Sequence, residues 1–264
     1  MSNPAEGYES YMVPALFGPW AARLVQAADP KPGERVLDLG CGTGMVARAV
    51  TERRGATGTV TGIDVSSDML AVARASAARA GAVIEWREGR AEALPFSDGS
   101  LDLVLCQFAL MFFRDRAAAF AEIHRTLTKG GRVVLSVWQG LERHPFYQRL
   151  DEVIRRRAGV SALADIFALG EPSELFLLLS DAGFQHAEIE PVSMTSRFPQ
   201  PDAFLAGEIE VDTAAIPSMQ GLTSAERSAI VAAISDDMKG PLREATRDDH
   251  VVLEFHAHIA RARR

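Results

Sequence analysis

Val36-Leu37-Asp38-Leu39-Gly40-Cys41-Gly42-Thr43-Gly44 is the stretch whose reading decides the fold. Val36, Leu37 and Leu39 form an apolar run long enough for a buried strand, and Pro32-Gly33 punctuates its start. Three glycines at alternate positions follow, and residues 45–53 read as a helix. Strand, glycine turn and helix together bring backbone N–H groups and the positive end of a helix up to a ligand. Side chains in the turn would block that ligand, and a positive φ costs glycine almost nothing.

The spacing of the glycines narrows the ligand. A dinucleotide fingerprint needs Gly-x-Gly-x-x-Gly, its third glycine packing the helix on the strand under a pyrophosphate. Counted from Gly40, that third position is Met45, which argues against a nicotinamide-dependent oxidoreductase. Here the glycines fall at 40, 42 and 44, with Asp38 two residues ahead of the first. The string resembles the first motif of class I S-adenosylmethionine (SAM)-dependent methyltransferases, Asp/Glu-x-Gly-x-Gly-x-Gly. That resemblance implies an α/β fold, a Rossmann-like, seven-stranded, mostly parallel sheet with helices on both faces, plus helical cap insertions. It implies SAM as cofactor, S-adenosylhomocysteine (SAH) as product, and cofactor contacts from Asp38, Gly40, Cys41, Gly42 and Gly44.

Composition sets the frame. The chain has 264 residues, 47% of them hydrophobic, enough for a full core in one domain. No run approaches the ~18 consecutive apolar residues of a membrane span. The first residues lack the basic start and apolar stretch of a signal peptide, and the two cysteines suggest no disulfide framework. A cytoplasmic protein is expected. A net charge of −7 argues against nucleic acid as a partner, since phosphate neutralisation needs a basic face. No metal site is expected either, because neither the cysteines nor the six histidines offer a ligand set. The expected partner is a small molecule, and the expected assembly a monomer or homodimer.

Along the chain, residues 1–30 form an aromatic, helix-patterned segment containing Tyr8 and Tyr11. It reads as a helix packed on the sheet and, from the resemblance, as a flap over cofactor and substrate. Residues 58–64 read as a second strand ending in Asp64, twenty residues past Gly44, where a carboxylate can accept two ribose hydroxyls. Ser66 or Ser67 caps the next helix, over 68–80, and Val65 and Met69 follow closely enough to lie at an adenine. Residues 82–86 read as a third strand. The loop after it runs Arg90-Ala91-Glu92-Ala93-Leu94-Pro95-Phe96, similar to the family's Asp-Ala-x-x-Leu-Pro-Phe. In the family the aspartate accepts the adenine amino group and the next N–H, here that of Ala91, meets the ring. Arg90 stands where the aspartate is expected, and arginine has no acceptor. The contact is lost, is supplied by Glu92 or a carbonyl, or the loop sits differently.

Residues 101–107 read as a fourth strand, followed by Phe108-Ala109-Leu110-Met111-Phe112-Phe113. Ligands of open α/β sheets bind beyond the strands' carboxyl ends, which puts Gln107 at the cofactor and Phe108, Met111 and Phe112 at an acceptor pocket. A helix over 115–128, stopped by Gly130-Gly131, leads to a fifth strand at 132–138. The resemblance places the SAM-binding core at 31–140 and the rest of the sheet at 173–197 and 243–264, all in a single methyltransferase domain. Residues 141–172 and 198–242 exceed what the sheet requires and read as helical cap pieces, the second with a helix from 224 to 238. Tyr147 is placed in the substrate pocket.

Methyl transfer from a sulfonium depends mostly on positioning and water exclusion, with a base required only if the acceptor is protonated. Tyr8, Glu9, Tyr11, His144 and Tyr147 are base candidates, His144 having the most suitable intrinsic pKa. Residues 91–96 with 107–113 look most like the ubiquinone/menaquinone-biosynthesis C-methyltransferase-like group, which implies a small, partly lipophilic acceptor with a C, O or N nucleophile. The alternative is a SAM- or SAH-binding protein without transferase activity.

Overall fold

β1 (Arg35–Leu39) forms where the apolar run predicts it, with Val36, Leu37 and Leu39 fully buried, each such side chain adding ~1.5–3 kcal/mol. In the computed structural model, which describes residues 4–54, 57–214 and 222–264, β1 lies inside the sheet. The strand order is β3-β2-β1-β4-β5-β8-β6, from β2 (Thr59–Asp64), β3 (Glu85–Glu88), β4 (Leu101–Gln107), β5 (Leu127–Trp138), β6 (Gln185–Pro199) and β8 (His250–Arg263). That seven-strand path matches the expectation. An eighth, two-residue strand, β7 (Thr246–Arg247), pairs off the path with β8. β1 through β5 are parallel to one another. β8 is inserted between β5 and β6, with Gly130 N–H donating to Arg264 O and Arg264 N–H to Gly131 O.

The helices are α1 (Pro4–Gly7), a π-helical stretch Tyr8–Phe17, α2 (Gly18–Ala28), α3 (Met45–Arg54), α4 (Ser67–Arg79), α5 (Arg116–Thr126), α6 (Pro145–Ala158), α7 (Pro172–Asp181), α8 (Pro201–Ala214) and α9 (Ser224–Ala245). The wide turn over Tyr8–Phe17 has a local cause. Pro14 cannot donate into an α ladder, and Gly18 N–H bonds Val13 O, five residues back. α4 starts where Ser66 accepts the Met69 amide, and α5 where Asp115 accepts that of Ala118.

Several boundaries differ from the sequence reading, among them the helix read over 224–238, which runs to Ala245. The third strand starts at Glu85 rather than 82. α5 stops at Thr126, and β5 runs from Leu127 through Gly130-Gly131, so those glycines lie within the strand and end no helix. The first cap piece is helical only to Ala158, where Gly159 adopts φ +81°. Residues 1–3 of the flap and 215–221 of the second cap piece lie outside the described residues.

Contacts divide the chain into two compact units. The first comprises Met1–Val137, Glu171–Val192 and Ala257–Arg264. In its core α2 and α3 pack on the sheet, with Leu24, Val46, Val50, Leu103, Leu105 and Ile259 almost fully buried. The second comprises Trp138–Gly170 and Ser193–His256 and so takes in most of both cap pieces. Its centre is aromatic, with Phe146, Tyr147, Phe167, Phe198, Phe204 and Phe255 buried and Phe198 and Phe204 4.6 Å apart. Asp151 is buried there too; one of its oxygens takes Ser161 Oγ at 2.6 Å and the Ala162 amide at 3.0 Å. Thr223 and Glu226 cap α9 reciprocally.

Candidate cofactor site

The glycine turn is held from below by the second strand. Ile63 O accepts both Gly40 N–H at 2.8 Å and Cys41 N–H at 2.9 Å, and Gly44 N–H closes the turn on Cys41 O. All three glycines have positive φ, +68°, +52° and +81°, as the spacing predicts. Their surroundings differ. A Cβ on Gly40 would lie 2.4 Å from that of Ala109, and one on Gly44 2.2 Å from Cη2 of Trp86. Around Gly42 a Cβ would meet nothing within 4 Å. The turn is therefore packed at its two ends and open at its middle, which is the cradle a ligand needs.

Acidic groups frame that opening. Asp64 Oδ2 accepts Gly42 N–H at 2.8 Å and its Oδ1 accepts Ser66 N–H at 2.9 Å. Asp38 is fully buried and accepts Ala47 N–H at 2.9 Å. Burial, reinforced by the charge of Asp64, pushes its carboxyl up to about 7 against the opposing Ala47 hydrogen bond. Tyr8 feels Glu9, Asp64 and Asp38 together, and burial with those charges raises its hydroxyl well above the ordinary range. Tyr8 therefore lies within electrostatic reach of both aspartates. Tyr8 stacks on Phe17 at 5.1 Å, Phe17 meets Phe108 at 6.1 Å, and Phe108 meets Trp20 edge-on at 5.6 Å. Gln107 Nε2 donates to Phe17 O at 3.0 Å. Its Oε1, the hydroxyl of Thr43 and one oxygen of Glu9 are buried without a hydrogen-bond partner among the described residues.

Other predicted residues take these places. Val65 is exposed and Met69 half-buried, leaving apolar surface at the end of β2. Phe108 is buried in a left-handed conformation, φ +49°, at a cost of ~1–3 kcal/mol for a bulky residue. Tyr11 is half-buried, Met111 is buried, and Phe112 is 68% exposed. Burial raises both thiols, Cys106 to about 12, so neither is a nucleophile.

Two predictions need correction. Glu92 is not a waiting adenine acceptor: its Oε1 takes the amides of Arg114 and Asp115 at 2.9 and 3.3 Å, and its Oε2 lies 3.8 Å from Arg90. It fastens the loop ahead of α5, while Ala91 is buried and Arg90 exposed. His144 is engaged at both ring nitrogens. Its Nδ1–H donates to Gly140 O at 3.2 Å and its Nε2 accepts the His256 amide at 3.0 Å. The ring is buried, 4.7 Å from that of Phe167, and burial lowers it to about 4. With both nitrogens engaged and no charge near neutrality, it is a structural histidine of the second unit. Tyr147, also of the second unit, hydrogen bonds Glu208, a carboxyl that burial raises to about 7.

Two groups at the site were missed. Trp86 packs on both Gly44 and Gly62, where a Cβ would lie 2.4 Å from its ring; a lone aromatic in a short strand gives no warning of this. Arg48 donates to Thr43 O at 2.6 Å and to Glu9 at 2.7 Å, a pairing across 39 residues that helical periodicity does not encode.

This geometry is what the family comparison finds in sequence. Residues 37–135 match the model of a methyltransferase domain. Over 115 residues the chain is 42% identical to the ubiquinone/menaquinone biosynthesis C-methyltransferase UbiE of Stenotrophomonas maltophilia, covering 43% of this chain and 46% of that protein. The chain thus spans about half the length of the curated relatives it matches. Solved structures extend the likeness in fold alone. Phosphoethanolamine N-methyltransferase 2 of Haemonchus contortus in complex with SAM aligns at a TM-score of 0.56 and 20% identity, over 93% of this chain and 52% of that one. The [4+2]-cyclase SpnF aligns at 0.59 and 20%, over 93% and 81%. Among the described residues no helix of the chain is long and apolar enough to cross a membrane.

Proposed function

We propose that this chain transfers the methyl group of SAM to a small, partly lipophilic organic acceptor. The observation that carries the reading is the open middle of the glycine turn at Gly42, tied to Asp64 at 2.8 Å. Asp64 would accept the ribose hydroxyls, Val65 and Met69 would flank the adenine, and the amides of the turn would face the methionine portion. The cofactor supplies a methyl carbon on a sulfonium, displaced in line by the acceptor's lone pair while the C–S electron pair returns to sulfur. The protein's share is to orient and to keep water out, worth up to ~7–11 kcal/mol of barrier when reactants are well placed. Tyr8, Phe17 and Phe108 make that surround apolar, and the quinone pathway named for UbiE suggests a greasy acceptor.

A second reading, cofactor binding without methyl transfer, is favoured by one observation: His144 is not available as a base. The cyclase title of SpnF is a reminder that a fold does not dictate its chemistry. Methyl-labelled SAM, purified protein and a small-molecule extract, followed by solvent partition, separate the two. Label in the organic phase supports the proposal, label only in water-soluble material revises the acceptor, and SAH binding without any transfer favours the second reading.

A further inference from the structure

Arg48 occupies the fourth position of α3, and side chains on a helix lean toward its N-terminus. Its Nη1 therefore reaches the carbonyl of Thr43, between Gly42 and Gly44, at 2.6 Å. This sets a full positive charge against the glycine turn, where the helix dipole already presents its positive end. A guanidinium in that place repels a cationic ligand. The N-terminal segment answers it: Glu9 Oε1 lies 2.7 Å from Arg48 Nη2, and the two side chains are only 17% and 18% exposed. At such exposure solvent screens the pair weakly.

The acids Asp38 and Asp64 lie in the same neighbourhood, since Tyr8 feels both together with Glu9. Asp64 is already committed to the Gly42 and Ser66 amides, and Asp38 to Ala47. Glu9 alone of the three touches Arg48.

We propose that Glu9 is a specificity residue for the charge of the cofactor, cancelling Arg48 so that the site accepts the SAM cation as readily as neutral SAH. The inference rests on the SAM-binding reading of the glycine turn. It gives the N-terminal segment a task beyond covering the site, because losing Glu9 removes the one of these three acids that hydrogen bonds Arg48 and leaves only the more distant pull of Asp38 on its charge. At an effective dielectric of ~20, one uncompensated unit charge acting on a cation ~10 Å away corresponds to roughly tenfold in affinity.

The test is calorimetric titration of SAM and of SAH into the wild-type chain, Glu9→Gln, Glu9→Asp and the double variant Glu9→Gln/Arg48→Gln. Glu9→Gln is expected to weaken SAM roughly tenfold more than SAH. Glu9→Asp, which keeps the charge, should hold the wild-type ratio. The double variant should return the ratio toward wild type even if both ligands bind less tightly. An equal loss for both ligands in Glu9→Gln, or a double variant that keeps the skewed ratio, overturns the assignment and leaves the pair a structural clasp. Wild-type protein that binds neither ligand removes the cofactor reading itself, and this inference with it.

Discussion

The Gly42 amide donates to Asp64 Oδ2 at 2.8 Å, so the end of the second strand and the middle of the glycine turn form one hydrogen-bonded unit. Removing that carboxylate frees the turn and, on the proposed reading, deletes the ribose acceptor. Hydrogen bonds to a charged group are worth ~1.5–3 kcal/mol each. Asp64→Ala is accordingly expected to weaken SAM and SAH alike, by roughly 10- to 100-fold, with Asp64→Asn falling between. Titration calorimetry checks it, and unchanged affinity would sink the ribose role.

Asp38 predicts a proton linked to binding. Its carboxyl is raised to about 7 in the fold, chiefly by burial, against ~3.9 in an unfolded chain. Between those values the folded state holds the extra proton, so this group's contribution to stability falls as pH rises from ~4 to ~7. A cation bound beside it favours the ionised form. SAM binding at pH 6.5 should therefore expel a proton, and Asp38→Asn should not. Calorimetry in two buffers of different ionisation enthalpy measures it; identical heats for the wild type would refute the linkage.

His144 has the opposite sign. Its pKa is lowered to about 4, below its unfolded value of ~6.5, so its contribution to stability is complete above ~6.5 and is lost as pH falls toward 4. His144→Ala leaves the His256 amide without its ring acceptor, while Gly140 O keeps the Arg143 amide, and opens a hole beside Phe167, an expected loss of ~2–3 kcal/mol. Denaturant unfolding measures that loss. The pH–rate profile of a folded variant such as His144→Gln should keep its inflections between pH 6 and 8, and loss of an inflection would restore His144 as a base.

Trp86 separates two kinds of glycine. Gly62 has no positive φ, so Gly62→Ala offends by its Cβ alone, chiefly against the indole and less against Cys41 Sγ at 3.1 Å. Trimming the ring in Gly62→Ala/Trp86→Leu should recover part of the lost stability. Gly44 carries φ +81° as well as the indole contact, so Gly44→Ala should remain impaired in cofactor binding even with Trp86→Leu. Thermal unfolding and SAH titration of the four variants decide it. Equal rescue of both would mean that only volume matters.

What could be read from the sequence was whatever is encoded locally. The strand before the turn, the positive φ of Gly40, Gly42 and Gly44 and the cap at Ser66 each follow from a few adjacent residues, and each stands as read. Readings failed where the outcome depends on residues far apart. His144 looks like a base until Gly140 O and the His256 amide occupy its two nitrogens, the second from 112 residues away. Glu92 is claimed by the backbone of Arg114 and Asp115, and the Glu9–Arg48 pair joins a wide helix to α3. The glycine pair at 130–131 misled for a simpler reason. The chain turns from helix to strand at Leu127, three residues before Gly130, so the pair stops no helix.

The packing of Trp86 has a practical consequence. The chain has three tryptophans: Trp20 is sealed beside Phe108, Trp138 packs near Phe255 in the second unit, and Trp86 lies against the glycine turn. Its indole is thus a built-in optical reporter of that turn. A change in emission on adding SAH that disappears in Trp86→Phe would follow the cofactor in real time without any label.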